Sequence, residues 1–342
     1  MALVRDHADA LDGLRGLAAL MVVASHGAAA GMHLVPGLDL EGIGKHGVFL
    51  FFVLSAFLLT QQALAWPRSN AWLFELATYG SRRVARIAPL YVCVLVAAWL
   101  LGGPGLGVPI DTSALWAHLT LSEGRGIYWS IPVEFLYYLW IPPLAFWMGV
   151  SLPGWLRAVG VLVLLACCVW TFPSGSAPSN SDQLRWYLPV LLSGSIAAWL
   201  APLCPREAKV RLAELLLPGV LLLTVPALWS VSADHWHRSF LLWGLCWGVV
   251  VVLVARDLLP WTAALLARPW MVCLGRWCFG LYLLHLPAQA LARRLPVAGE
   301  IQAWVGLLLA IALAALAYRF VERPAMACVG ALMARGMPRQ SA

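Results

Sequence analysis

Residues 11–31, LDGLRGLAALMVVASHGAAAG, hold Asp12, Arg15 and His26 inside a stretch otherwise apolar enough to enter a bilayer. Ionisable groups near mid-membrane cost about 3 kcal/mol each on insertion scales, so they are rare there without a use. Eleven residues separate Arg15 from His26. A helix turns about 1100° over that interval, roughly 20° past three full turns, and rises about 16 Å. Both side chains therefore share one face at two depths. Asp12 stands three residues before Arg15, a neighbour on that face. A permanent cation near one membrane surface with an imidazole deeper in predicts a site that holds an anion and moves protons above it. A neutral imidazole is the natural general base for a sugar hydroxyl, because its pKa lies near the working pH. The bland alternative is a histidine hydrogen-bonded across helices for packing alone.

Five further stretches carry candidate chemistry. SRRVARIAPLY, residues 81–91, sets Arg82, Arg83 and Arg86 within about one helical turn. Three arginines there either anchor a basic membrane surface or grip phosphate bidentately. Pro89 predicts a kink just beyond. YWSIPVEFLYYLWIPP, residues 128–143, buries Glu134 in an aromatic run, where a carboxylate needs a partner or a neutral form. Pro132, Pro142 and Pro143 predict a broken helix lining a cavity. Trp129, Tyr137 and Tyr138 could stack on a sugar ring or form an interfacial belt. In GVFLFFVLSAFLLT, residues 47–60, Ser55 and Ala56 allow close helix approach, a packing seam at least as readily as a site. In LGRWCFGLYLLHLP, residues 274–287, His285 precedes Pro287, and structural use is the default. In FVERP, residues 320–324, Glu322 is expected to pair with Arg319 or Arg323.

These residues need a membrane scaffold to position them. The chain has 342 residues, 62% hydrophobic and 11% charged, with mean hydropathy +0.81. Soluble domains carry about 25% charged residues. The chain reads as an all-α polytopic membrane protein, a bundle of about ten transmembrane helices. Expected spans are 11–31, 46–66, 84–102, 127–149, 154–172, 184–203, 212–230, 239–256, 271–293 and 300–322. Span 184–203 is the weakest, with an interfacial helix as its alternative. An even number puts both termini on one side. That side collects sixteen Lys and Arg, against six (Lys45, Arg125, Arg185, Arg238, Arg293 and Arg294) on the other, so both termini are expected in the cytoplasm. The net charge of +7 reads as topology plus attraction to anionic lipid or an anionic cytosolic ligand, and no nucleic-acid partner is expected. Loops 103–127 and 173–182 are expected to be turn-rich and external. The eight cysteines show no metal or disulfide spacing and read as small buried residues. The chain is expected to form one transmembrane domain, 1–342, without an appended soluble domain.

Six of these motifs, in order, resemble the membrane acyltransferase 3 family, which O-acylates surface polysaccharides and some secreted metabolites. They are LDGLRGLAALMVVASH, GVFLFFVLSAFLL, RRVARIAPLY, WSIPVE, GLYLLHLP and the closing ERP. The resemblance implies about ten core helices with cytoplasmic termini in a bacterial cytoplasmic membrane. It implies acyl-CoA, most simply acetyl-CoA, as co-substrate with no resident cofactor and no metal. His26 would be the catalytic histidine, as base or acyl carrier, with Glu134 and Asp12 beside it in the chemistry. Arg15, Arg82, Arg83 and Arg86 would bind the donor. Ser55, Trp129, Ser130, Tyr137, Tyr138 and His285 would line the acceptor cavity. The partners would be a carbohydrate acceptor such as O-antigen or exopolysaccharide, membrane lipids, and polysaccharide-assembly proteins. Two positions depart from the family: Ala56 stands where glycine is usual, and Cys278-Phe279 where Ser-Tyr is usual. The rival reading is a proton-coupled transporter or flippase for a lipid-linked sugar, which also needs buried Arg, His and Glu.

Overall fold

The computed structural model describes residues 2–66, 72–101, 108, 110–149, 153–171, 180–204, 211–229, 232 and 239–335. Arg68, Arg206, Lys209, Arg238, Arg339 and most of segments 103–109 and 173–179 lie outside these. So do the side chains of Arg5, Arg157, Cys167, Cys168 and Arg211. The described residues are all-helical, with no strands among them. The helices are α1 (Ala2–Ala29), α2 (Ile43–Leu64), α3 (Trp72–Leu101), α4 (Thr112–Leu119), α5 (Ser130–Met148), α6 (Gly154–Thr171) and α7 (Leu184–Leu200). They continue with α8 (Leu216–Leu223), α9 (Phe240–Ala255), α10 (Pro260–Leu266), α11 (Pro269–Arg276), α12 (Cys278–Ala292), α13 (Gly299–Ala317) and α14 (Arg323–Arg335). A π-helical segment, Tyr318–Glu322, joins α13 to α14.

Among the described residues four helices are long and apolar enough to cross a membrane: Ile43–Leu64, Trp72–Leu101, Leu184–Leu203 and Gly299–Arg335. Two bent pairs, α9 with α10 (89°) and α11 with α12 (78°), raise the number to six if each is one span. With many large apolar side chains exposed around them, such as Leu139, Trp140, Phe146 and Leu308, this is a multi-pass membrane protein. Helix α2 is apolar all round because it is central, packed against α1, α5, α7 and α9. Helix α1 packs on α2 and on α9 to α13, so its charged face looks into the bundle. The expected span 184–203 is a well-buried helix, with 78% of its apolar window inside the bundle.

Several expectations are corrected. The predicted break at 128–143 is absent: α5 runs through Pro142 and Pro143. Pro142 leaves the Tyr138 carbonyl without its helical N–H, and the Tyr79 hydroxyl donates to that carbonyl instead, at 3.0 Å. The helix runs equally through Pro89. The break falls at Trp277, dividing the expected span 271–293 into α11 and α12. There the Arg276 carbonyl accepts a hydrogen bond from Arg86 Nη2 at 3.1 Å. Span 212–230 yields only the short α8 between 3₁₀ segments. The 103–127 loop contains a helix, α4, capped by Asp111 and burying Ala114, Leu115 and His118. Among the described cysteines only Cys278 is buried; Cys93 and Cys328 are exposed.

Backbones approach closely where side chains are small. A Cβ on Gly275 would stand 1.8 Å from the Asp12 carbonyl oxygen, and one on Gly13 2.0 Å from that of Leu266. These glycines let α11 and α10 lie directly on α1. At the seam of α2 with α7 the glycine is on the facing helix: a Cβ on Gly194 would meet the Ala56 methyl at 2.9 Å. The methyl at Ala56 is thus matched by the missing one at Gly194.

Candidate active site

Three cavities follow one another along the inner face of α1. The first, about 490 Å³, is basic: Asp12, Arg15, Arg82, Arg83, Arg86 and Arg276 line it with Gln62 and Tyr318. The second, about 90 Å³, is narrow; it shares Arg15, Arg83 and Arg86 with the first and adds Ser55, Ser130, Glu134, Tyr138 and Tyr282. The third, about 410 Å³, holds His26, Ser25, Glu41, Lys45 and Trp129, and shares Val48 and Tyr282 with the second. The helical spacing of Arg15 and His26 thus places them at opposite ends of one series of spaces.

In the basic cavity the guanidiniums differ in what holds them. Arg15 Nη1 lies 3.5 Å from Asp12 Oδ1, and Arg276 reaches Asp9 at 3.5 Å and Asp12 at 3.8 Å. Arg86 pairs with Glu322 at 3.3 Å. Glu322 was expected to pair with Arg319 or Arg323; the π segment instead turns it inward, fully buried, onto Arg86. Arg83 has no ion-pair partner among the described residues, and its Nε is buried without a hydrogen bond. A buried unpaired guanidinium is costly, so Arg83 is the group in this cavity most in need of an anion.

In the narrow cavity Glu134 Oε1 accepts from Ser55 Oγ at 2.6 Å and from Tyr138 Oη at 2.5 Å. Ser55, a packing seam on its spacing alone, is a partner of the one carboxylate there. Ser130 Oγ donates to Tyr282 Oη at 2.8 Å, and Tyr282 Oη donates to the Ile127 carbonyl.

In the outer cavity His26 Nδ1 lies 2.9 Å from the Val22 carbonyl oxygen. A carbonyl only accepts, so Nδ1 carries the proton, and Nε2 keeps its lone pair for chemistry. His285 lies behind His26, ring centroids 4.8 Å apart. It is fully buried, its Nδ1 tied to the Tyr282 and Leu281 carbonyls. Gln289 Nε2 donates to the Val23 carbonyl at 2.8 Å, binding α12 to the same turn of α1. Lys45 Nζ sits 4.1 Å above the Trp129 ring and 2.8 Å from Tyr187 Oη.

The structure therefore brings together Arg15, Arg82, Arg83 and Arg86 at one end, and His26 with Trp129 at the other. Ser55, Ser130, Glu134 and Tyr138 lie between. Asp12 stands apart from His26, fourteen residues earlier on α1 or about 21 Å along the axis, and its contacts are guanidiniums. Tyr137 is in the core, bonded to Ser195 at 2.8 Å, and lines none of these cavities. Lys45, Tyr282 and Arg276 line these cavities although the sequence did not single them out. Tyr282 had a signal, since it lies three residues before His285 and so on its face of a helix. Lys45 and Arg276 had none beyond their charge.

The chain is 25% identical to the peptidoglycan O-acetyltransferase OatA of Listeria monocytogenes serovar 1/2a over 94% of its own length. It spans only 56% of that curated relative. No solved structure matches the chain. The profile described as an acyltransferase domain, that of the acyltransferase 3 family, matches residues 9–319, from the turn before Asp12 to the start of the π segment. The chain belongs to the acyltransferase 3 family.

Proposed function

We propose that this protein transfers an acyl group, acetyl in the simplest case, from cytosolic acyl-CoA to a hydroxyl of a carbohydrate outside a bacterial cytoplasmic membrane. The observation that carries the reading is the series of three cavities joining an unpaired arginine to a histidine with a free Nε2. Arg83, with Arg15, Arg82 and Arg86, receives the donor phosphates at the basic end, where both termini lie in the cytoplasm. The pantetheine arm follows α1 over the roughly 16 Å from Arg15 to His26. The acceptor hydroxyl attacks the thioester carbonyl while His26 Nε2 takes its proton. The carbon–sulfur bond breaks, and the proton passes to the departing CoA sulfur. Glu134, held by Ser55 and Tyr138, shares the narrow cavity with Arg15, Arg83 and Arg86 and offsets their charge once the arm has passed. The name of the Listeria relative makes peptidoglycan the first acceptor to test.

The test compares wild type, His26→Ala and Arg83→Ala in cells, with membrane insertion checked by blotting. Ester-linked acetate is released from surface glycans by mild base and quantified. Both variants are expected to lose it, and purified Arg83→Ala protein is expected to bind acetyl-CoA more weakly. Full glycan acetylation by a normally inserted His26→Ala variant overturns the assignment. Sugar flux into vesicles without any CoA favours a carrier.

A further inference from the structure

The narrow and outer cavities adjoin at two residues that line both, Val48 and Tyr282. Tyr282 is buried, and its hydroxyl lies in a string of hydrogen bonds that crosses this wall. Ser130, which lines the narrow cavity, donates to it at 2.8 Å; Tyr282 in turn donates to the carbonyl of Ile127, which lines the outer cavity. The ring stands where the two cavities meet, and the two hydrogen bonds fix it there. A histidine base does not discriminate among hydroxyls. If the wall stood open, water in the outer cavity of about 410 Å³ would reach a thioester arriving through the narrow one. Hydrolysis would follow: water oxygen bonds to the acyl carbon, the carbon–sulfur bond breaks, one water proton goes to the CoA sulfur, and the acid is released.

We propose that Tyr282 decides between transfer and hydrolysis: it is a seal that stays shut until a carbohydrate fills the outer cavity and displaces its water. The proposal rests on the donor and acceptor reading given above. Its two supports, the shared wall and the hydrogen-bond string, are independent of that reading.

The test uses the full chain in lipid nanodiscs with acetyl-CoA and no acceptor, and reads free CoA thiol. Tyr282→Phe keeps the ring and removes both hydrogen bonds. It is expected to release CoA about tenfold faster than wild type, two hydrogen bonds having been lost, while glycan-bound acetate in cells stays near the wild-type level. Tyr282→Leu, which also removes bulk, is expected to release CoA faster still. Measurable CoA release that is no faster in the variants than in wild type, or glycan acetate lost in step with it, overturns the proposal. A second measurement reads the seal without acyl chemistry. Cys278 is buried in the wall of the narrow cavity. With every other cysteine changed to serine, a membrane-impermeant thiol reagent outside intact cells is expected to label Cys278 in Tyr282→Leu but not with Tyr282 present. Equal labelling in both overturns the seal. Labelling that opens as expected, with no CoA released by any variant, overturns the donor reading alone.

Discussion

Replacing Gly275 by alanine strikes the closest backbone contact at the basic end of the bundle. The new methyl would lie 1.8 Å from the Asp12 carbonyl oxygen, 2.5 Å from its carbon and 3.1 Å from its Cα. All three are main-chain atoms of α1, so no side-chain rotation relieves the overlap. Carbon–oxygen contacts are tolerable from about 3.3 Å, so α1 and α11 must part by about 1.5 Å. The strain of such overpacking is about 1–3 kcal/mol. The larger effect is on geometry. The next residue, Arg276, reaches Asp9 and Asp12, and Arg15 is one turn further along the displaced helix. A misplacement of about 1 Å costs roughly 10²-fold in rate. Glycan acetylation is therefore expected to fall about 100-fold, with the apparent melting temperature in detergent lowered by several degrees. Gly330→Ala is the control, because a Cβ there meets nothing within 4 Å. Wild-type acetylation and melting in Gly275→Ala would refute the close packing of α11 on α1 and the claim that it sets Arg15.

Three further outcomes are expected. Glu322→Gln removes the carboxylate that, among the described residues, pairs with the partly buried Arg86 guanidinium and is expected to cost about 3–5 kcal/mol; the double change Arg86→Met/Glu322→Leu should recover most of the lost melting temperature, and a Glu322→Gln protein that melts like wild type contradicts the pair. Tyr79→Phe leaves the Tyr138 carbonyl unpaired beside Pro142 at about 1–3 kcal/mol; in a Pro142→Ala background the restored helical N–H should make the same change nearly silent, which a double-mutant cycle on melting temperature reads directly. His118 titrates below its ordinary range because burial disfavours its charged form. Its Nδ1 bonds the Ala114 carbonyl and its Nε2 accepts from the Arg125 amide. Because the folded form resists protonation, its contribution is complete above about pH 6.5 and is lost as pH falls through the depressed value. Hydrogen exchange at the Arg125 amide should therefore quicken on acidification in wild type, and a rate independent of pH after correction for intrinsic exchange would contradict this.

Much of the site was legible because helical periodicity is a local property. Arg15 and His26 fall on one face by counting, and the cavities confirm that face as the inner one. The arginine turn at 82–86 and the half-buried Glu134 stood out for the same reason: charges are rare in an apolar chain. Partner choice was not legible. Glu322 has two arginines within three residues, yet it pairs with Arg86 from α3, because the π segment rotates it by an amount no periodicity encodes. The helix break was misplaced for a related reason. Pro142 had a distant hydroxyl, Tyr79, to satisfy the carbonyl it frees, and Trp277 marks a break without any proline at that residue.

The sequence by itself determined that this is a helical membrane protein of the acyltransferase 3 family, with Arg15 and His26 in line on its first helix. Composition, the 3.6-residue period and motif order are properties of the chain, present before folding. Only the tertiary structure decided that Arg83 keeps a buried Nε without a hydrogen bond, that Asp12 serves the guanidiniums and stands apart from His26, and that Tyr282 stands between the two ends. Those facts depend on side chains from different helices meeting at distances of 2.6–3.8 Å. Contacts between residues far apart in the chain arise from packing, and no local pattern records them.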